Sequence, residues 1–109
     1  MSNEVIGFMA VDSTRDDHVI AGMTGEVVAL YVLSAYWRTG IGRALWVAGL
    51  QSLVERGYRQ AMLWVLSENA RARHFYAKAV WSPEPGSERS RLIGGASLRE
   101  IRYRSPVLR

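Results

Sequence analysis

The sequence predicts a mixed α/β (α+β) fold: an antiparallel hairpin, then a parallel β-α-β crossover, then a second helix. Three observations carry the prediction. Two short apolar runs, residues 4–11 and 26–33, flank a polar stretch; a turn with two glycines, Arg38-Thr-Gly-Ile-Gly-Arg43, leads from the second run into an amphipathic segment; and a third apolar run, residues 61–66, follows that segment. At 109 residues, with no repeat or low-complexity tract, the chain reads as a single domain spanning residues 1–109.

Residues 4–11 are bounded by polar residues and too short for a free-standing helix, which makes them a buried strand. The Ser-, Thr-, Asp- and Gly-rich residues 12–25 form a loop. Residues 26–33, with Val27, Val28, Leu30 and Val32, form a second strand that pairs most simply antiparallel with the first. From Gly42 or Arg43 to about Arg56, the residues Leu45, Ala48, Ser52 and Leu53 recur at helical spacings behind Ile41, and Gly57 stands where a helix-ending glycine belongs. Residues 61–66 are apolar at both parities, as in a central strand covered on both faces, so a parallel crossover spans Glu26 to Leu66. Ser67 or Asn69 caps a second helix through Lys78, with Ala72, Phe75, Tyr76 and Ala79 on one side. Pro83-Glu-Pro-Gly-Ser is a turn, and residues 92–98 and 100–104 are terminal strands, the latter alternating Ile101 and Tyr103 with Arg102 and Arg104.

Composition narrows the function classes. Hydrophobic residues at 49% and charged ones at 22% are ordinary globular usage, which argues against disorder and fibrous classes. The absence of cysteine excludes disulfides, thiolate metal sites and a cysteine nucleophile, and no metal site is expected. The start, Met1-Ser-Asn-Glu, has no basic leader or long apolar core, and no run reaches the ~18 apolar residues of a membrane span, so a cytoplasmic protein is expected. Much of the net charge of +4 comes from Arg89, Arg91, Arg99, Arg102, Arg104 and Arg109, read either as a solvated basic edge or as part of an anion site.

The chemistry concentrates at the glycine turn. A strand that breaks into such a turn and then opens a helix is a phosphate-binding device: Gly40 and Gly42 allow close backbone approach, and the helix offers unpaired N–H groups and the positive end of its dipole. A P-loop would need Lys-Ser/Thr after its glycines, which is absent, and a dinucleotide fingerprint would need a third Gly or Ala at set spacing and an acidic ribose contact downstream. Ligands in crossover units bind beyond the carboxyl ends of the strands, which is where Arg38–Arg43 lies.

The order of a strand, Trp37-Arg-Thr-Gly-Ile-Gly-Arg-Ala-Leu45, a helix, Leu63-Trp-Val-Leu66 and Asn69-Ala-Arg-Ala-Arg-His-Phe-Tyr76 resembles the GNAT superfamily of acyl-CoA-dependent N-acetyltransferases over roughly residues 4–105. The resemblance implies acetyl-CoA as cofactor and direct acetyl transfer to an amine in a ternary complex. It places the pantetheine arm along Leu30, Tyr31, Val32 and Leu33 like an added strand, and the pyrophosphate on the amides of Arg38, Thr39, Gly40, Ile41, Gly42, Arg43 and Ala44, with Arg38 and Arg43 as auxiliary cations. Asn69 and Arg73 are carried over as further cofactor contacts, Asn69 being equally readable as a helix cap. Glu26 is the candidate general base, or else a polar strand-end residue; Tyr76 is the candidate general acid for the departing thiolate, or else a core aromatic beside Phe75. A backbone N–H near Val32 is the candidate oxyanion donor, exposed where one strand splays from the next. His74 and His18 read as surface or packing residues, and Asp16 and Asp17 as solvated loop charges that could also draw a cationic amine.

The chain departs from the family pattern at three points. Trp37 replaces the usual Gln or Arg three residues before the first glycine, a change the backbone-mediated binding tolerates. Val80 stands where relatives have glycine after the Phe-Tyr helix; a positive φ there would strain a β-branched side chain by ~1–2 kcal/mol, so a different helix exit is expected. The chain also begins at the hairpin, whereas family domains typically begin with a strand and two helices, from which a homodimer completing the acceptor face, or an unusually open acceptor cleft, is expected. Two rival readings stand beside the enzyme: a silent acyl-CoA-binding or dimerising domain and, from the arginine-rich C-terminus, a nucleic-acid-binding module that lacks an aromatic-interleaved basic strand. The sequence does not name the amine acceptor.

Overall fold

The computed structural model describes residues 7–13, 24–32 and 34–108. Strands β1 (Gly7–Ser13) and β2 (Thr24–Val32) are antiparallel; helix α1 (Ile41–Glu55) crosses to β3 (Gln60–Leu66), which lies parallel to β2. Helix α2 (Ala70–Lys78) then leads to β4 (Ser82–Pro83), β5 (Arg89–Ile93) and β6 (Ala96–Arg104). The sheet order is β1-β2-β3-β6-β4, with β5 also paired to β6. This is the mixed sheet of hairpin, crossover and second helix that the residue pattern predicts. The predicted first strand began at residue 4; residues 4–6 lie outside the described residues, as do Asp16, Asp17 and His18, and β1 runs on past Val11 because Asp12 and Ser13 still pair with Glu26 and Gly25.

Both helices end in the same motif with different residues. At the end of α1, Tyr58 N–H donates to the Leu53 carbonyl and Gly57 N–H to the Val54 carbonyl, both at 3.0 Å, with Gly57 at φ 90°. That is a Schellman ending, in which the residue after the cap must be left-handed, and glycine fills it without cost. At the end of α2, Trp81 N–H donates to Tyr76 and Val80 N–H to Ala77, again at 3.0 Å, and Val80 sits at φ 68°. The expectation of a different helix exit is therefore corrected: the exit is kept and the valine absorbs the strain. The reason is Trp81, only 3% exposed and 4.9 Å from the Trp46 ring, whose burial dictates the turn before it. Since Val80 itself is 73% exposed, Val80→Gly removes strain and almost no packing, and is expected to raise stability by about 1 kcal/mol in a thermal melt. An unchanged or lowered melting temperature would refute the strain.

The core lies between one face of the sheet and the two helices. Val27 of β2, Ala61, Leu63 and Val65 of β3, and Ile101 and Tyr103 of β6 meet Trp46 and Leu53 of α1 and Tyr76 of α2. Trp46 is the hub, with ring centroids 5.5, 5.4 and 4.9 Å from those of Phe75, Tyr76 and Trp81. A Cβ on Gly25 would stand 2.6 Å from Leu53 Cδ2, so any side chain there would have to displace the fully buried Leu53.

One expectation for the last third needs correcting. The predicted strand over residues 92–98 is broken by Gly94 and Gly95, at φ 57° and 83°, which turn β5 back into β6 with Ile93 opposite Ala96; two successive left-handed residues give the turn whose twist suits a tight hairpin. Of the six arginines at this end, three are ion-paired, Arg91 and Arg104 are exposed, and Arg109 lies outside the described residues. Arg89 Nε lies 2.6 Å from Glu100 Oε1, Arg99 Nη2 lies 2.8 Å from Glu88 Oε2, and buried Arg102 pairs with Glu84. Spacing in sequence hides those carboxylates because each belongs to a different segment from its arginine. Trp64, on the sheet face away from the core, is covered by the Arg89 guanidinium at 3.5 Å from its ring centroid. Among the described residues no helix is long and apolar enough to cross a membrane.

Candidate functional site

β2 and β3 pair only from Thr24 opposite Gln60 to Glu26 opposite Met62. Beyond Glu26, β2 continues to Val32 along β1 while β3 continues to Leu66 along β6, so the two parallel strands part. A β-bulge explains the place. Ala10 faces Ala29 but Val11 faces Val27, which leaves Val28 as an extra residue in β2, and a bulge bends its strand and ends regular pairing. The parting opens toward the carboxyl ends of both strands, and from Val28 to Val32 it is about 13 Å deep at 3.3 Å per residue.

The start of α1 stands at the open end: a Cβ on Gly42 would make ordinary contact with Val32 Cγ2, at 3.6 Å. The first intrahelical bond runs from Ala44 N–H to the Gly40 carbonyl at 3.0 Å, so the amides of Ile41, Gly42 and Arg43 precede the helical ladder. Gly40, at φ 90°, is the N-cap and brings no capping side chain. Three backbone donors and the positive helix end thus face outward, the electrostatics of an anion cradle. The turn before them is tied down. Thr39 Oγ1 donates to the Tyr36 carbonyl, Arg38 is held at φ 63°, and Trp37 Nε1 donates to the Val32 carbonyl at 2.8 Å. From the far side of the parting, the Arg71 guanidinium stacks on Trp37, 3.4 Å from the ring centroid.

The remaining sequence-derived candidates fall around this opening. Glu26 is the last β2 residue paired with β3, at the closed end of the parting, and is half-buried. Leu30 packs toward the core, Tyr31 points outward onto Phe8 with ring centroids 5.6 Å apart, and Leu33 lies outside the described residues. Tyr76 is 9% exposed among Trp46, Phe75 and Tyr103, and burial raises its phenol pKa above the ordinary tyrosine value. Asn69 caps α2, its Oδ1 accepting from Ala72 N–H at 3.1 Å. Arg73 is turned inward: its Nε donates to Tyr103 Oη and its Nη1 to the Ser67 carbonyl, both at 2.9 Å. Ser67, at the end of β3, has a buried hydroxyl with no hydrogen-bond partner. Sequence reasoning missed Arg71, whose link to Trp37 spans thirty-four positions and leaves no local signal, and it missed the orphaned Ser67.

The arrangement suits a long ligand with an anionic group at one end and hydrogen-bonding amides along an extended arm. The anion fits the α1 amides, and the arm fits the edge of β2 that β3 leaves beyond Glu26. A family model described as acetyltransferase (GNAT) family matches residues 1–80, and the chain belongs to that family. It is 32% identical over 97 residues to an uncharacterized N-acetyltransferase, YuaI, of Bacillus subtilis, covering 89% of this chain and 53% of the relative. It is 35% identical over 91 residues to an uncharacterized N-acetyltransferase of Archaeoglobus fulgidus, covering 83% of this chain and 62% of the relative. The chain therefore spans between half and two-thirds of the length of these relatives. Among solved structures, the yncA protein of Salmonella typhimurium, determined with its cofactor acetyl-CoA, superposes at a TM-score of 0.77 with 18% identity, over 94% of this chain and 58% of that one. Acetyl-CoA, the acetyl donor of the family, carries a pyrophosphate followed by an amide-bearing arm, so the residues present fit it.

Proposed function

We propose that the chain is an acetyl-CoA-dependent N-acetyltransferase that moves the acetyl group directly to an amine in a ternary complex. The observation that carries this reading is the parting of β2 from β3 in front of the uncapped start of α1. When bound, acetyl-CoA supplies an acetyl group activated as a thioester. The amides from Arg38 to Arg43 would hold the pyrophosphate, with Arg38 and Arg43 as exposed cations beside it, whereas the Ala44 amide is taken by the Gly40 carbonyl and drops out of the cradle; the edge of Leu30 to Leu33 would hold the arm. A β2 N–H along the edge that β3 leaves, leading to Val32, donates to the oxygen on which negative charge develops. Glu26, at the closed end, takes the proton from the attacking amine, directly or through water, and Tyr76 delivers one to the departing sulfur. Burial suits Tyr76 to that task because it keeps the phenol protonated. Asn69 lies at the opening, while Arg73 contributes by holding the end of β3 and β6 in register.

Calorimetric titration with coenzyme A tests the cradle, and thioester cleavage with a panel of amines tests turnover. Glu26→Gln is expected to lower kcat by about a hundredfold with little change in coenzyme A affinity. Wild-type turnover in that variant would remove Glu26 as the base. The exposed Phe8–Tyr31 pair, on strands of which β1 pairs with β2 alone among the described residues, favours a second element of the proposal, a homodimer through this face. A monomer in sedimentation at micromolar concentration would refute it. Coenzyme A binding without cleavage of any amine-supplied thioester would instead establish the silent acyl-CoA-binding reading.

A further inference from the structure

We infer that Trp37 and Arg71 form a clasp that holds the α1 amides at the spacing coenzyme A needs, making both of them positioning residues; this rests on the cofactor reading above. The loop they act on has reason to wander. It contains Gly40 and precedes Gly42, its side chains from Arg38 to Gly40 are exposed, and Arg38 is held in the left-handed region, where an ordinary side chain is disfavoured. Something must over-determine that conformation, and the contacts of Trp37 do so from two sides. Its indole N–H is bonded to the Val32 carbonyl, the last described backbone acceptor of β2. Its ring carries the guanidinium of Arg71, from the first turn of α2. The chain Val32–Trp37–Arg71 therefore joins the two elements on either side of the parting across its open end, and fixes the helix amides relative to the β2 edge. A loop already held in its binding conformation loses less entropy when the ligand arrives.

The stack is short but both its partners are exposed, and the indole bond also lies at the surface, so each link is worth a modest factor and the two act as one unit. Trp37→Phe keeps a ring for Arg71 and deletes only the N–H; Arg71→Gln keeps a polar side chain and deletes the stacked cation. Each variant is expected to weaken coenzyme A binding about threefold to tenfold by calorimetry, with KM for acetyl-CoA rising in step and kcat and the acceptor KM unchanged. Restoring the cation with Arg71→Lys should recover part of the loss. The double variant should be weaker by clearly less than the product of the two single factors, because breaking either link already frees the loop. Thermal melts within a few degrees of wild type accompany this pattern, since neither residue is in the core. Wild-type affinity in either single variant, multiplicative losses in the double variant, or a fall in kcat with unchanged affinity would each overturn the clasp while leaving the cofactor reading intact. Failure of the wild-type chain to bind coenzyme A would overturn both.

Discussion

Replacing Tyr76 by phenylalanine will lower kcat by about a hundredfold or more while leaving coenzyme A affinity near wild type. The ring stays, so the contacts with Trp46, Phe75 and Tyr103 survive and only the proton is lost. The pH profile supplies an independent check. Burial raises the phenol pKa, so the protonated, active form persists through neutral pH and is lost only as pH rises through that raised value. The alkaline fall in wild-type kcat should disappear in Tyr76→Phe, whose residual rate has no phenol to titrate. If the variant keeps wild-type kcat, or keeps the same alkaline limb, Tyr76 is a core aromatic and the sulfur is protonated from elsewhere.

Trp46→Ala is expected to cost about 3–5 kcal/mol, a large share of the roughly 5–15 kcal/mol that holds a domain folded. Trp46 is 5% exposed and is the one residue of α1 that touches Phe75, Tyr76 and Trp81 together by ring contact. Removing it leaves a cavity that no single neighbour can fill, because those rings are fixed by α2 and by the turn after it. The loss should appear as a lower urea midpoint, with Trp46→Phe falling between wild type and alanine. A midpoint shift worth less than 1 kcal/mol would mean that α2 repacks onto the sheet without its hub.

The parts of the fold legible in the sequence were those encoded by neighbours along the chain. Gly57 marks the end of α1, and Ser67 or Asn69 the start of α2, with the structure choosing Asn69, because a left-handed cap and an Asx cap are settled by residues within one turn. The apolar run on both parities announced a central strand, and the order of runs announced the crossover. Val80 carries the strain its sequence position implies without changing the helix exit, since the burial of Trp81 outweighs a cost of ~1–2 kcal/mol. The pairing of Arg89, Arg99 and Arg102 leaves no local signal, because their carboxylates stand across a hairpin and a turn, at separations of eleven and eighteen positions. For the same reason the site was legible at the glycine turn, where a short motif carries the geometry. The Arg71 stack on Trp37 and the inward set of Arg73 were not, because they depend on where α2 is laid over the sheet.

The three-residue pairing of β2 with β3 has a consequence for how this protein exists from moment to moment. A sheet left open at its middle is a partly unwritten fold, and a ligand lying along β2 would complete it with bonds the chain does not make for itself. Occupancy and folding then become one equilibrium: at a ligand concentration one hundred times Kd, binding would add about 2.7 kcal/mol to the native state, a gain readable as a melting temperature that climbs with coenzyme A. On that view the abundance of the folded protein would follow the supply of its own cosubstrate, and the gap between the strands would serve as a gauge as well as a seat.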